Sequence, residues 1–88
     1  MVQEKVVVTN KTGLHLRPAS VLTKISGGCK SKITLIKGDK RVNAKSVLNV
    51  MSAQINKDDE ITVEVEGENE VEELKKIVDA IKSGLGEE

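Results

Sequence analysis

From Glu60 to Glu66 polar and apolar residues alternate without interruption, with Ile61, Val63 and Val65 on one side and Thr62 and Glu64 on the other. Successive side chains of a strand point to opposite faces, so this segment reads as a strand with one face in a core and one in water. Lys32 to Lys37 repeats the pattern, with Ile33 and Leu35 inward and Lys32 and Thr34 outward. A sheet built from such strands has one wet face, and its other face must be covered by helices.

The rest of the chain supplies them. Val2 to Thr9 reads as a first strand, with Val6 and Val8 on one face, and Asn10-Lys11-Thr12-Gly13 as a loop. The spacing of Ala19, Leu22, Ile25 and Ser26 predicts a helix over Leu16 to Gly27, stopped at Gly27-Gly28. Pro18 falls in its first turn, where a missing N–H costs nothing. Gly38-Asp39 is a two-residue hairpin turn leading into a third strand, Lys40 to Ala44, with Val42 inward. Ser46 caps a second helix, Val47 to about Ala53, and Asn56 to Asp59 forms a turn. Asn69 is placed to cap a last helix, with Glu70, Glu72 and Glu73 at its positive end. Val71, Leu74, Ile77, Val78 and Ile81 make its apolar stripe, Lys82 lies near its end, and Gly84 suits its C-terminal cap. The order is β-α-β-β-α-β-α, an α+β class. No repeat or linker interrupts it, so residues 1–88 are expected to form one domain. The acidic tail Glu87-Glu88 is expected to fray.

Composition excludes several functions. There is no Phe, Tyr or Trp, and 14 basic residues balance 14 acidic ones. Neither a stacking platform nor an overall positive field for nucleic acid is present. A single cysteine, Cys29, cannot close an internal disulfide, which fits a reducing compartment and a small buried thiol. One His and one Cys fall short of a metal ligand set, and no cofactor motif is visible. Met1 to Lys5 lacks the apolar stretch of a signal peptide, and no run reaches transmembrane length. A soluble cytoplasmic protein without membrane insertion is expected.

Chemistry concentrates in Gly13-Leu14-His15-Leu16-Arg17-Pro18-Ala19, which holds the only histidine and the only proline. The stretch joins the first strand to the first helix, and the exposed N–H groups of a helix start attract anions. The positive end of the helix disfavours a cationic ring, and a neutral imidazole is a competent nucleophile. The N–H groups of Leu16 and Arg17 are placed to bind phosphoryl oxygens, and the Arg17 side chain to add a charge-assisted fork. A lone histidine is also a common capping residue, and Arg17 also reads as a solvated first-turn residue. No acid, base or metal ligand stands nearby to drive a full cycle. The site therefore reads as a phosphate acceptor and donor rather than an independent enzyme.

A second cluster lies at Val47, Leu48, Val50 and Met51, which point around most of a short helix. Such a helix is either wedged into the core on two sides or left with an exposed apolar docking patch, and a domain this small favours the patch. Lys24, Lys40 and Lys45 are candidates for a basic rim around it.

Gly13 to Ala19 closely resembles the active-site signature of HPr, the histidine-containing phosphocarrier family of the bacterial phosphoenolpyruvate-dependent sugar phosphotransferase system. Lys45-Ser46-Val47-Leu48-Asn49-Val50-Met51-Ser52 resembles that family's second signature, around a regulatory serine. The resemblance implies an open-faced β-sandwich, a four-stranded antiparallel sheet of order first, fourth, second, third with three helices on one face. It implies that enzyme I phosphorylates His15 on Nδ1, that Arg17 steadies the phosphate, and that the group passes to IIA domains of sugar permeases. It implies further that Ser46 is a target of HPr kinase/phosphorylase, the modified form acting with catabolite control protein A. Leu16, Ser20, Lys24, Val47, Leu48 and Met51 correspond to the docking surface, and the protein is expected to be a monomer.

Several residues depart from the family pattern. Leu16 replaces a smaller or polar residue, Cys29 an aromatic, and Asn49 a frequent glycine; Gln54 and Asp58 stand where glycines are common. The last pair implies a local difference in the turn after the second helix. A second function is consistent with the same residues: some relatives lack the active histidine and act only as regulatory binding modules, here through Ser46.

Overall fold

A computed structural model describes residues 1–85; the tail Glu87-Glu88 lies outside the described residues. The elements follow the expected order: β1 (Val2–Val7), α1 (Leu16–Gly27), β2 (Lys32–Lys37), β3 (Lys40–Asn43), α2 (Val47–Ser52), β4 (Glu60–Glu66) and α3 (Glu70–Lys82). The four strands form one sheet in the order β1-β4-β2-β3, with antiparallel neighbours. In register, Val6 lies opposite Ile61, and Leu35 lies between Val63 and Val42. Those residues are buried together with Ala19 and Leu22 of α1, Val50 of α2, and Leu74, Ile77, Val78 and Ile81 of α3. The core is thus one aliphatic layer between the sheet and its helices, an open-faced sandwich.

Local choices agree with this packing. Gly38 turns the β2–β3 hairpin at φ +58, a conformation that glycine takes at least cost. Ser46 caps α2, its Oγ accepting from the N–H of Asn49 at 3.3 Å. Gly84, at φ +89, ends α3: its N–H bonds to the carbonyl of Ile81, and that of Leu85 to Ala80. This pair of bonds is a Schellman cap, and the buried Leu85 supplies its hydrophobic contact.

The structure corrects the sequence reading at six places. β1 ends at Val7, although Val8 remains tied to the β4 side by bonds to Asp59 and Asp58. β3 and α2 each end one residue early, at Asn43 and Ser52. Thr34, on the outer face, is buried: the Arg41–Glu64 ion pair at 2.7 Å reaches from β3 to β4 across β2, where Thr34 lies. Val71 is 69% exposed rather than part of the α3 stripe. The buried face is rotated toward Glu73, which leaves Val71 beyond its edge. Finally, Asn69 occupies the cap position of α3 without a side-chain cap bond.

Glu73 is a buried charge on that face. Its carboxylate accepts from the N–H groups of Lys30 and Ser31 at 2.9 and 3.0 Å, closing the turn between α1 and β2. The adjacent Ser31 side chain and these N–H groups hold its acid below the ordinary glutamate range, against an opposing effect of burial.

Candidate functional site

His15 is the N-cap residue of α1, extended at φ −81 and ψ −169. The first bond of the helix runs from the Ala19 N–H to the His15 carbonyl at 2.8 Å. Ahead of it, the N–H groups of Leu16 and Arg17 take no hydrogen bond among the described residues, and Pro18 has none to offer. The imidazole makes no cap bond and is exposed to solvent. Arg17 is likewise exposed, without an ion pair among the described residues.

What aims this helix start is the loop before it. Gly13 sits at φ +65 against the chain between α2 and β4; a Cβ there would lie 2.6 Å from the Asn56 Cα and closer still to the Ile55 carbonyl. The Leu14 N–H bonds to the same carbonyl at 2.9 Å, and its side chain is buried. The opposing segment is itself held. The Asn56 N–H bonds to Asp59 Oδ2 at 2.7 Å, and Lys37 Nζ reaches both Asp59 Oδ2, at 2.8 Å, and the Gln54 carbonyl. The Lys37 ammonium holds the Asp59 acid below the usual carboxylate range, with help from the Asn56 N–H. Gln54 and Asp58 take φ of +53 and +72. Both therefore adopt the left-handed backbone that glycine would take at least cost, so the turn uses that conformation without the glycine.

This docking brings the two sequence clusters together. His15 shares a hollow of about 270 Å³ with Leu14, Met51, Gln54, Ile55 and Asn56. On its other side it borders a second hollow with Thr12, Leu16, Arg17 and Pro18. Leu14, Ile55 and Asn56 were not candidates from the sequence; the signal for them was Gly13, whose close approach names the segment it rests on.

The expected docking residues divide. Leu16 is 62% and Leu48 80% exposed, and Met51 is exposed at the margin of the His15 hollow. Val47 is half-buried and Val50 fully buried, so α2 has both an inner face and an apolar outer face. The outer face is the patch that the sequence suggested. Ser20 is exposed on α1, its Oγ–H bonded back to the Leu16 carbonyl at 2.6 Å, and Lys24 is exposed in the last turn. Lys45 is not a free rim cation: its Nζ donates to the Cys29 carbonyl at 2.9 Å. Lys40 opens β3 at the hairpin and is exposed.

Cys29 lies beyond the opposite end of α1 from His15, buried, its Sγ–H directed at the Ile25 carbonyl. Burial pushes its thiol up, and the Glu73 charge adds to the effect, which disfavours a thiolate. Among the described residues no group of three or more His, Cys, Asp or Glu is placed to hold a metal. No described helix is long and apolar enough to cross a membrane.

An exposed histidine at the start of a helix, with two N–H groups behind it unused among the described residues and an apolar patch beside it, suits a carrier of an anionic group. Residues 2–83 match the family described as the PTS HPr component phosphorylation site. The phosphocarrier protein HPr of Mycoplasma capricolum is 43% identical over 67 residues, covering 76% of this chain and 75% of that protein. The HPr-like protein Crh of Bacillus subtilis is 42% identical over 77 residues, covering 88% and 91%. The crystal structure of HPr-C-His from Thermoanaerobacter tengcongensis superposes with a TM-score of 0.95 at 38% identity, covering 100% of this chain and 99% of that one. The chain belongs to the HPr family of phosphocarriers of the phosphotransferase system.

Proposed function

We propose that this protein accepts a phosphoryl group on His15 from phosphorylated enzyme I and passes it to IIA domains of sugar permeases. The observation that carries the proposal is the setting of His15: an exposed imidazole at a helix start, with the Leu16 and Arg17 N–H groups unused among the described residues. Of the two ring nitrogens, Nδ1 lies nearer the backbone, where an N-cap side chain normally places its acceptor. A phosphoryl group on Nδ1 therefore has its oxygens closest to those N–H groups and to the Arg17 guanidinium. The ring nitrogen attacks phosphorus with its lone pair, and the donor's phosphorus–nitrogen or phosphorus–oxygen bond breaks. The protein holds the group between transfers and depends on each partner for the rest of the machinery. Leu16, Leu48 and Met51 form the apolar surface on which the partners seat, with Val47, Ser20 and Lys24 at its margins.

The test is incubation with phosphoenolpyruvate and a cognate enzyme I. An acid-labile, alkali-stable phosphate is expected on the wild type and absent from His15→Ala. Failure of the wild type to acquire it would remove the proposal.

The likeness to Crh, whose solved structures are described as catabolite repression proteins, favours a second role through Ser46. We infer that a kinase such as HPr kinase/phosphorylase modifies Ser46 and that the product binds a regulator of the catabolite control protein A type. A phosphate on Ser46 would place charge beside Leu48 and Met51 and slow transfer from enzyme I. Equal transfer rates for wild type and Ser46→Asp would count against that coupling.

A further inference from the structure

The Ser46 hydroxyl has more than one partner. Its oxygen accepts the capping bond from the Asn49 N–H at 3.3 Å and a second bond from the Asn49 side-chain amide, Nδ2 to Oγ, at 3.2 Å. A hydroxyl oxygen has two acceptor lone pairs, so both are engaged. In the common capping box the residue three positions after the cap reaches back to the cap's own N–H. Here that N–H is already bonded to the Asn43 carbonyl at 3.1 Å, and Asn43 Oδ1 also accepts from the Lys45 N–H at 2.9 Å. With the cap's N–H taken, the Asn49 amide is turned onto the hydroxyl oxygen instead.

We propose that Asn49 is a positioning residue that restrains phosphorylation of Ser46 by occupying the lone pair the reaction needs. The proposal rests on the reading of Ser46 as a kinase target. In that reaction a Ser46 Oγ lone pair forms the bond to the γ-phosphorus of a nucleoside triphosphate. The bond from that phosphorus to the bridging oxygen breaks, the nucleoside diphosphate leaves, and the hydroxyl proton passes to a base on the kinase. While the hydroxyl proton is still in place, the capping bond and the side-chain bond cannot both persist as Oγ forms its bond to phosphorus. The side-chain bond is the one that can be lost without unwinding α2, because only the backbone N–H is part of the helix start. Removing the amide therefore exposes a lone pair while leaving the cap in place. A hydrogen bond of this kind corresponds to a rate change of roughly two- to tenfold.

The experiment compares wild type, Asn49→Ala and Asn49→Gly as substrates of an HPr kinase/phosphorylase with ATP, with circular dichroism melting as the control for folding. The expected result is a kcat raised about two- to tenfold in both variants, with KM unchanged. Restoring a donor of greater reach with Asn49→Gln is expected to return kcat toward the wild-type value. Phosphorylation of wild type and variants at the same kcat, or more slowly in the variants, would overturn the restraint and leave Ser46 as the target. Phosphorylation of none of them, with a known HPr from the kinase's own host as positive control, would overturn the reading of Ser46 and the restraint with it. A change confined to KM would place Asn49 in kinase docking and overturn the restraint.

Discussion

At the scale of single residues, the site depends on backbone conformations as much as on side chains. Gly13 is the clearest case, since its positive φ and its close approach to Ile55 and Asn56 both exclude a Cβ. Gly13→Ala is expected to destabilise the fold by about 2–4 kcal/mol, combining overpacking with the left-handed penalty; a smaller loss in denaturant unfolding would show that the loop is not seated there. Gln54 is the converse, a side chain in a conformation that suits glycine. Its contact with Lys37 is made by the backbone carbonyl and survives substitution. Gln54→Gly is expected to raise stability by about 0.5–1 kcal/mol, as relief of the left-handed conformation exceeds glycine's extra unfolded-state freedom. Unchanged or lower stability in the same unfolding measurement would contradict this. The sequence showed that glycine was missing at position 54 but not what the backbone did there. A positive φ leaves no mark on composition when the residue adopting it is not Gly, Asn or Asp.

At the scale of elements, the alternating strands and the apolar stripe of α1 were legible because each has one buried face and a fixed period. The α3 stripe was legible only in part. Glu73 reads by position as a dipole-complementing acid, and only the tertiary structure brings the turn at Lys30-Ser31 within its reach. The buried face takes in Glu73 and leaves Val71 exposed. The short α2 was ambiguous for the opposite reason: its apolar residues point around most of the helix, so periodicity does not choose the inner face. The structure buries Val50 and leaves Leu48 outward. Because Leu48 has so little to lose on folding, Leu48→Asp is expected to change stability by less than about 0.5 kcal/mol. Phosphoryl transfer from enzyme I is expected to slow by about tenfold or more, through loss of an apolar contact at the docking surface. Stopped-flow transfer kinetics beside thermal melts check the pair; a wild-type transfer rate would remove α2 from the docking surface.

At the scale of the whole molecule, two carboxylates tie segments far apart in the chain. Glu73 joins α3 to the α1–β2 turn, and Asp59 joins the β4 entry to Lys37 on β2. Both acids are held below their ordinary range in the folded state. Their stabilising effect is therefore complete above the unfolded-state values and is lost as pH falls through the lowered ones. The melting temperature is expected to fall as pH drops below about 5, with a shallower fall in Glu73→Gln with Asp59→Asn. An equally steep fall in the double variant would assign acid sensitivity elsewhere. The same long-range closure joins the two functional clusters, since the loop carrying His15 rests on the segment leaving α2. Their proximity was not readable from spacing, because contact between residues 13 and 55 is a property of the closed sheet rather than of either segment. Phosphoryl transfer to the imidazole at the start of α1 is tested most directly by nitrogen-15 and phosphorus-31 NMR of the labelled protein after reaction with phosphoenolpyruvate and enzyme I. A phosphorus–nitrogen bond at His15 Nδ1 is expected, with the Leu16 and Arg17 amide resonances shifted in step. A phosphoryl group on any other residue, or none at all, would contradict it.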